Sequence, residues 1–214
     1  MLGLLVLPAL LLSLAPPFQA SSRPLPQSMQ AQLEQRGFWH RGCPVGLSEL
    51  RLLTVTHRGF DRRARTGQLV VNRRAVAPLT EAFRRLYRRG FPIRHMRFAD
   101  YYGPARGGPA DGDVTASFEC REAVPSPCVG GSGTGTWSMH AYGLAVDINP
   151  RENPYVGCGQ SRDPTARSYR DRSNRRRGMV GRGAVRAFAA VGWGWGGAWT
   201  GDTKDYMHFS ANGH

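Results

Sequence analysis

The chain is nearly without lysine: Lys204 is the only one, so its positive charge is carried almost wholly by arginine. Acidic residues are also scarce, 15 Asp and Glu against 29 Lys and Arg, for a formal net charge of +14. That balance points to anionic surroundings such as wall polymers, phospholipid headgroups or nucleic acid, and a solvated arginine-rich surface accounts for much of it. No C-x-x-C pair is present, which sets aside a zinc ribbon. The glycine-rich stretch "VGGSGTGT" at 129–136 lacks Gly-Lys-Ser/Thr and a following helix, so it reads as a flexible loop and not a phosphate cradle. No internal repeat is visible. The longest apolar run, from Leu2 to about Ala15, is too short to cross a bilayer comfortably and is interrupted by Pro8.

That run has the length of a secretory signal, with the small residues Ala20 and Ser22 where a cleavage site belongs. The start carries no Lys or Arg, and a retained anchor is the alternative. The organisation expected is a signal peptide at 1–22, a linker or loose helix at 23–36, and one domain at 37–214. Cys43, Cys120, Cys128 and Cys158 form an even set, which in an exported chain favours two disulfides. Three pairings are open; the short Cys120–Cys128 loop is preferred.

The periodicities are mixed. "LSELRLL" suggests a short helix capped by Ser48. "QLVVN" at 68–72 and "FPIRHMRFA" at 91–99 read as strands, with loops at 100–113 and 129–136. Between 72 and 89, Val76, Leu79, Phe83, Leu86 and Tyr87 recur at helical spacing, with Asn72 to start the helix and Gly90 to end it. "GLAVDIN" alternates, placing Leu144, Val146 and Ile148 on a core face and Ala145, Asp147 and Asn149 on a polar one. Residues 161–178 read as an arginine-rich loop with a short helix, and 183–192 as a helix ended by Gly192. Strands and helices without regular alternation predict an α+β fold: a small mixed or antiparallel sheet with flanking helices.

One stretch, "SMHAYGLAVDINP" at 138–150, holds a histidine and an aspartate seven positions apart. A catalytic zinc needs three protein ligands and one open position. His140 and Asp147 supply two, and His208 of "DYMHF" can supply the third. Asp205, three residues earlier, is placed to move a proton beside the metal without binding it. Each has a plain alternative: a hydrogen-bonded loop histidine, a turn-capping aspartate, a strand-end histidine. His40, His57, His95 and His214 lack comparable company.

These motifs resemble a known family. "SMHAYGLAVDINP" is similar to the Ser-x-His-x-x-Gly-x-Ala-x-Asp signature of VanY-like zinc D-alanyl-D-alanine carboxypeptidases, related to the L-alanyl-D-glutamate endopeptidases. "GWGWGGAWTGDTKDYMHF" resembles the same group's Trp-Gly-Gly-x-Trp and Asp-x-x-His, and "SFECR" and "NPYV" also fit. The resemblance runs from about Gly42 to Phe209 and implies the Hedgehog/DD-peptidase-like zinc peptidase fold.

It implies that His140, Asp147 and His208 bind Zn2+, with Asp205 as general base where many relatives carry glutamate, and Arg121 steadying the oxyanion. Ser117, Ser138 and Trp195 are then substrate-binding candidates; Trp193 and Trp199 share Trp195's choice between lining a groove and packing in the core. The activity implied is hydrolysis of peptidoglycan stem peptides by a secreted or wall-associated monomer, most readily at D-Ala-D-Ala, with L-Ala-D-Glu as alternative. Anionic wall polymers are expected partners; nucleic acid and stable membrane insertion are not. Two rivals are a catalytically silent zinc-bearing binding domain, against which Asp205 argues, and a cationic secreted or antimicrobial binder with an incidental motif.

Overall fold

The computed structural model describes residues 16–98, 100 and 108–214. The longest elements form a platform. Strands β2 (Leu50–Arg58) and β3 (Ala64–Asn72) pair antiparallel, with Leu50 opposite Asn72, and β1 (Ala20–Pro24) adds an edge against β2. The β2–β3 pair is buried on both faces. Leu53, Val55, Leu69 and Val71 face one core; Leu50, Leu52 and Val70 face another, the two-residue alternation of a strand assigning each side chain.

Helix α2 (Val76–Arg88) covers the first face with Leu79, Ala82, Phe83 and Leu86, spaced for one helical stripe. On its outer side Glu81 pairs with Arg84 and Arg85. The second face receives Leu33 of helix α1 (Gln27–Gln35), together with Phe118 and Cys120.

The rest of the chain is built from short pieces. Strands β4 (Ala145–Asp147), β7 (Gly194–Trp195) and β9 (His208–Ser210) form one sheet in the order β4-β9-β7. Strands β5 (Tyr155–Gly157), β6 (Gln160–Ser161) and β8 (Lys204–Asp205) form another in the order β6-β5-β8. Helix α3 (Arg182–Ala189) lays Ala184, Ala187 and Phe188 onto α2 and β9, and Phe188 stacks on Phe209 with ring centroids 3.9 Å apart. The class is the expected α+β, with the sheet divided into three antiparallel parts.

Several local expectations are corrected. The segment from Leu47 makes only one helical turn, Leu47–Glu49, before β2 begins, because its leucines alternate between two cores instead of lining one stripe. Of 91–99, the described residues contribute only the isolated bridges at Pro92 and His95. Pro92 has no N–H for a ladder, and Arg94 turns inward to Asp113 and Glu152. Strand β3 begins four residues before the expected start. On β4 the supposed polar face is buried as well: Ala145 and Asn149 are fully enclosed.

The segment read as a linker holds the end of β1, the buried Leu25 and α1, so it packs on the domain. The signal-like run at 1–15 lies outside the described residues, as does half of the loop expected at 100–113. The preferred Cys120–Cys128 loop is not closed. Cys43 joins Cys120 and Cys128 joins Cys158, with Cα separations of 5.7 and 5.2 Å. Cys120 points into the second core beside Cys43, while Cys128 meets the end of β5. Loops of 77 and 30 residues restrict the unfolded chain by roughly 4 kcal/mol each on the chain-entropy account, about 1–2 kcal/mol more than an eight-residue loop would.

Candidate metal centre

The centre stands where β4 and β9 pair. Their register sets Asp147 directly opposite His208, so two residues distant in sequence face each other across one ladder. His140 arrives from the turn before β4. The Ser138 hydroxyl accepts from the His140 N–H at 3.2 Å, and the Gly143 N–H donates to the His140 carbonyl at 2.9 Å. That turn is fastened to the platform: the Asn72 N–H donates to the Gly143 carbonyl at 2.9 Å and its side-chain amide to the Tyr142 carbonyl at 3.0 Å. Gly143 has φ +64°, and a Cβ there would lie 2.6 Å from the Asn72 nitrogen, so the approach requires glycine.

The tautomers follow from the hydrogen bonds. His140 Nδ1 lies 2.5 Å from the Ser117 carbonyl, and His208 Nε2 lies 3.2 Å from the His214 carbonyl. A carbonyl can only accept, so these nitrogens carry hydrogen and each neutral ring turns a lone pair from its other nitrogen. Those lone pairs meet. His140 Nε2, His208 Nδ1 and Asp147 Oδ1 stand 3.2 Å from one another on all three sides. Three acceptors at that distance repel unless a cation lies among them. Ligand atoms about 2.0–2.1 Å from a tetrahedral zinc would be about 3.3 Å apart, so the set fits such an ion and leaves a fourth position open.

The electrostatics agree. Burial opposes the ionisation of Asp147, but the neighbouring His140 and His208 outweigh it and hold the carboxyl far below the usual carboxylate range. Burial would lower the His208 pKa, but Asp147 beside it raises it on balance. A second potential cluster, His40, Cys43 and Cys120, has its two sulfurs joined in a disulfide and offers no thiolate.

Asp205 sits on β8, opposite Tyr155. Its Oδ1 is buried and has no hydrogen-bond partner among the described residues. Burial, and next the negative charge of Asp147, push its pKa up to about 7. A buried carboxyl that titrates near neutrality is suited to exchanging a proton. Gly196 packs directly on it: a Cβ there would lie 2.6 Å from the Asp205 carbonyl oxygen.

Asp205, Arg121, Ser138 and the three clustered side chains all line one cavity of about 440 Å³. Arg121 is held by Glu119, Nε to Oε2 at 2.8 Å, and by the Glu122 carbonyl at 3.1 Å. Two substrate candidates lie elsewhere. The Ser117 hydroxyl donates to the Ala145 carbonyl at 2.6 Å, and its own carbonyl orients His140, so Ser117 serves the ligand. Trp195 packs over Phe209 and gives its indole N–H to the Tyr206 carbonyl at 2.9 Å, lining a different cavity. Trp193 is core.

Trp199 does line the main cavity, edge-on to Tyr155 at 6.3 Å, and Trp137, Tyr155 and Arg162 complete its walls. The sequence reading missed Trp137 and Arg162 as wall residues, and the carbonyls of Ser117 and His214 as orienting groups. Backbone carbonyls leave no mark in residue type, whereas the aromatic beside the 138–150 motif could have been noticed.

Residues 132–211 match the family model described as D-alanyl-D-alanine carboxypeptidase. The likeness supports a metallopeptidase hydrolase, and the matched segment contains His140, Asp147, Asp205 and His208, while Arg121 and Ser117 precede it. No curated protein and no solved structure matches the chain. No helix among the described residues is long and apolar enough to cross a membrane.

Proposed function

We propose that the chain is an exported zinc peptidase that hydrolyses peptidoglycan stem peptides, with the terminal D-Ala-D-Ala bond as its preferred substrate. The observation that carries this reading is the triangle of lone-pair atoms on His140, Asp147 and His208, with the buried Asp205 carboxyl on the same cavity. Zinc held by those three residues would polarise the scissile carbonyl and favour ionisation of water.

The protein's own groups do the rest. The Asp205 carboxylate, which lines the cavity, accepts the proton of the attacking water and returns it to the leaving amine. Its elevated pKa lets it perform both transfers near neutral pH. Arg121, anchored by Glu119, keeps its charge and presents its remaining N–H donors to the oxyanion as the carbonyl becomes tetrahedral. The walls at Trp137, Tyr155 and Trp199 narrow the space around the peptide and limit water. The surplus of arginine holds the enzyme on anionic wall polymers, an attraction that salt weakens.

Mass spectrometry of muropeptides after digestion tests the reading, with Asp205→Ala as control. Loss of one alanine from pentapeptide stems is expected. Release of the D-Ala-D-Ala dipeptide, or a cut beside D-glutamate, would reassign the bond. Equal digestion by Asp205→Ala would remove the assigned base.

A further inference from the structure

A second cavity, of about 510 Å³, lies on the other side of the Asp205–His208 segment. That segment separates the two: Asp205, Met207 and His208 line the main cavity, while Tyr206 lines the second. The floor is apolar, made by Met179, Val180, Val185 and Trp195. The rim carries four guanidiniums, Arg172, Arg175, Arg182 and Arg186, and no carboxylate is among the described lining residues. Spacing on α3 puts Arg182, Val185 and Arg186 on one helical face, so charge and apolar surface are presented together.

Arg172 is held in place without being neutralised by a carboxylate. Arg172 is half-buried and stacks over the Tyr206 ring at 4.4 Å. Its N–H groups go to the Glu152 and Val180 carbonyls at 2.9 and 3.0 Å and to Asn153 Oδ1 at 3.1 Å, all uncharged oxygens. Burial, only partly opposed by Tyr206 and reinforced by Arg175 and Arg176, pulls its pKa down to about 10. Arg175 lies against Gly181, where any Cβ would collide with its guanidinium. Arg94, the other partly buried guanidinium of this region, shows the contrast: it meets Asp113 at 2.8 Å and Glu152 at 2.5 Å. Four guanidiniums around one mouth repel each other, and an anion bound among them relieves that repulsion.

We propose that this cavity binds a phosphate-headed amphiphile, its phosphate among the rim guanidiniums and its apolar chain on Val185 and Trp195. Several converging guanidiniums suit a phosphate, whose oxygens are enough to be shared among them. A bare ion would leave the apolar floor wet, which favours a ligand with a hydrocarbon part. The volume admits a headgroup and a short length of chain. A lipid in a bilayer and a single soluble lipid phosphate share this chemistry.

The probe is dihexanoyl phosphatidylglycerol, kept below its micelle concentration and titrated calorimetrically into the full chain. One saturable site is expected. Arg182→Gln with Arg186→Gln should weaken it at least tenfold, and Val185→Asn, which keeps every charge, severalfold. Dihexanoyl phosphatidylcholine and glycerol 3-phosphate should each bind at least tenfold more weakly than the probe. Both arginines are exposed and neither lines the main cavity, so the double arginine variant is expected to keep its fold and peptidase activity. Vesicles of phosphatidylglycerol that compete with the monomer identify a bilayer source; vesicles that do not compete identify a soluble one, and either supports the site. Glycerol 3-phosphate binding as tightly as the probe would overturn the proposal, leaving a plain cationic surface. So would an affinity unchanged by the arginine and valine variants, which puts the ligand elsewhere.

Discussion

The platform and the metal region are built by different means. In the platform, β2 and β3 are nine residues each and run in unbroken register, and α2 adds thirteen residues with a continuous apolar stripe. In the metal region β4 and β9 are three residues each, and β7 and β8 are two. Short strands like these gain little from local preference. They are held by side-chain and carbonyl bonds, such as Asn72 to the Tyr142 carbonyl and Asn153 to the carbonyls of Ile148 and Gly178. The division is one of construction: the platform is built on long regular elements, and the metal region places a few atoms accurately.

Breaking the metal region should therefore remove activity while leaving the platform folded. Asp147→Asn is expected to lose stoichiometric zinc and bring peptidase activity to background, with far-ultraviolet circular dichroism unchanged; metal analysis and muropeptide digestion check it. Asp205→Ala should keep the zinc and lower kcat by about 10²–10⁴-fold, the usual worth of a positioned acid–base group. With the metal's positive charge nearby, the acid limb of kcat/KM in the parent should fall below the value of about 7 that burial and Asp147 impose on Asp205.

The platform should respond the other way. Phe83→Ala, at a position 1% exposed between α2 and α3, should cost about 3–5 kcal/mol in urea unfolding while kcat at low temperature stays near the parent's. His57 on β2 sharpens the point with pH. Burial holds its folded pKa at about 4 against an ordinary 6.5, a hydrogen bond to the Arg58 carbonyl only partly opposing this. Between those values the unfolded chain takes up a proton that the folded chain refuses. Its stability contribution is therefore full above pH 6.5 and declines as pH falls towards 4, by about 3 kcal/mol in total. His57→Gln should flatten the difference between urea midpoints at pH 7 and pH 4.5. The smallest effect is expected at the joint between the regions' methods: Gly196→Ala presses on the Asp205 backbone and should reduce kcat by roughly tenfold with a stability change of about 1–3 kcal/mol.

Much of the site was legible before any coordinates. His140, Asp147 and His208 occur in motifs whose residue types suit a metal, and the structure brings them within 3.2 Å. Asp205, named for its spacing from His208, and Arg121, named from the family resemblance, line the same cavity as those three. Trp195 was misread because a tryptophan in a glycine-rich stretch carries no sign of which way it turns; its stacking on Phe209 decided that. Ser117 was named for its hydroxyl, yet its carbonyl is the group that orients His140. The disulfides were misjudged because proximity in sequence was a poor guide to proximity between two cores. Helix α2 was easy, since thirteen residues of amphipathic spacing allow few alternatives. The leucines of Leu50–Leu53 were not, since four residues cannot distinguish one stripe from two faces.

Residue chemistry and spacing alone determined that this chain has the donors for a divalent metal and a carboxylate to serve beside it, because those capacities belong to side chains. Tertiary structure alone decided which lone pairs meet, which tautomer each imidazole takes and which carboxylate is buried without a partner. These depend on the Asp147–His208 register and on carbonyls contributed from remote segments, and such contacts exist only once the chain has closed on itself.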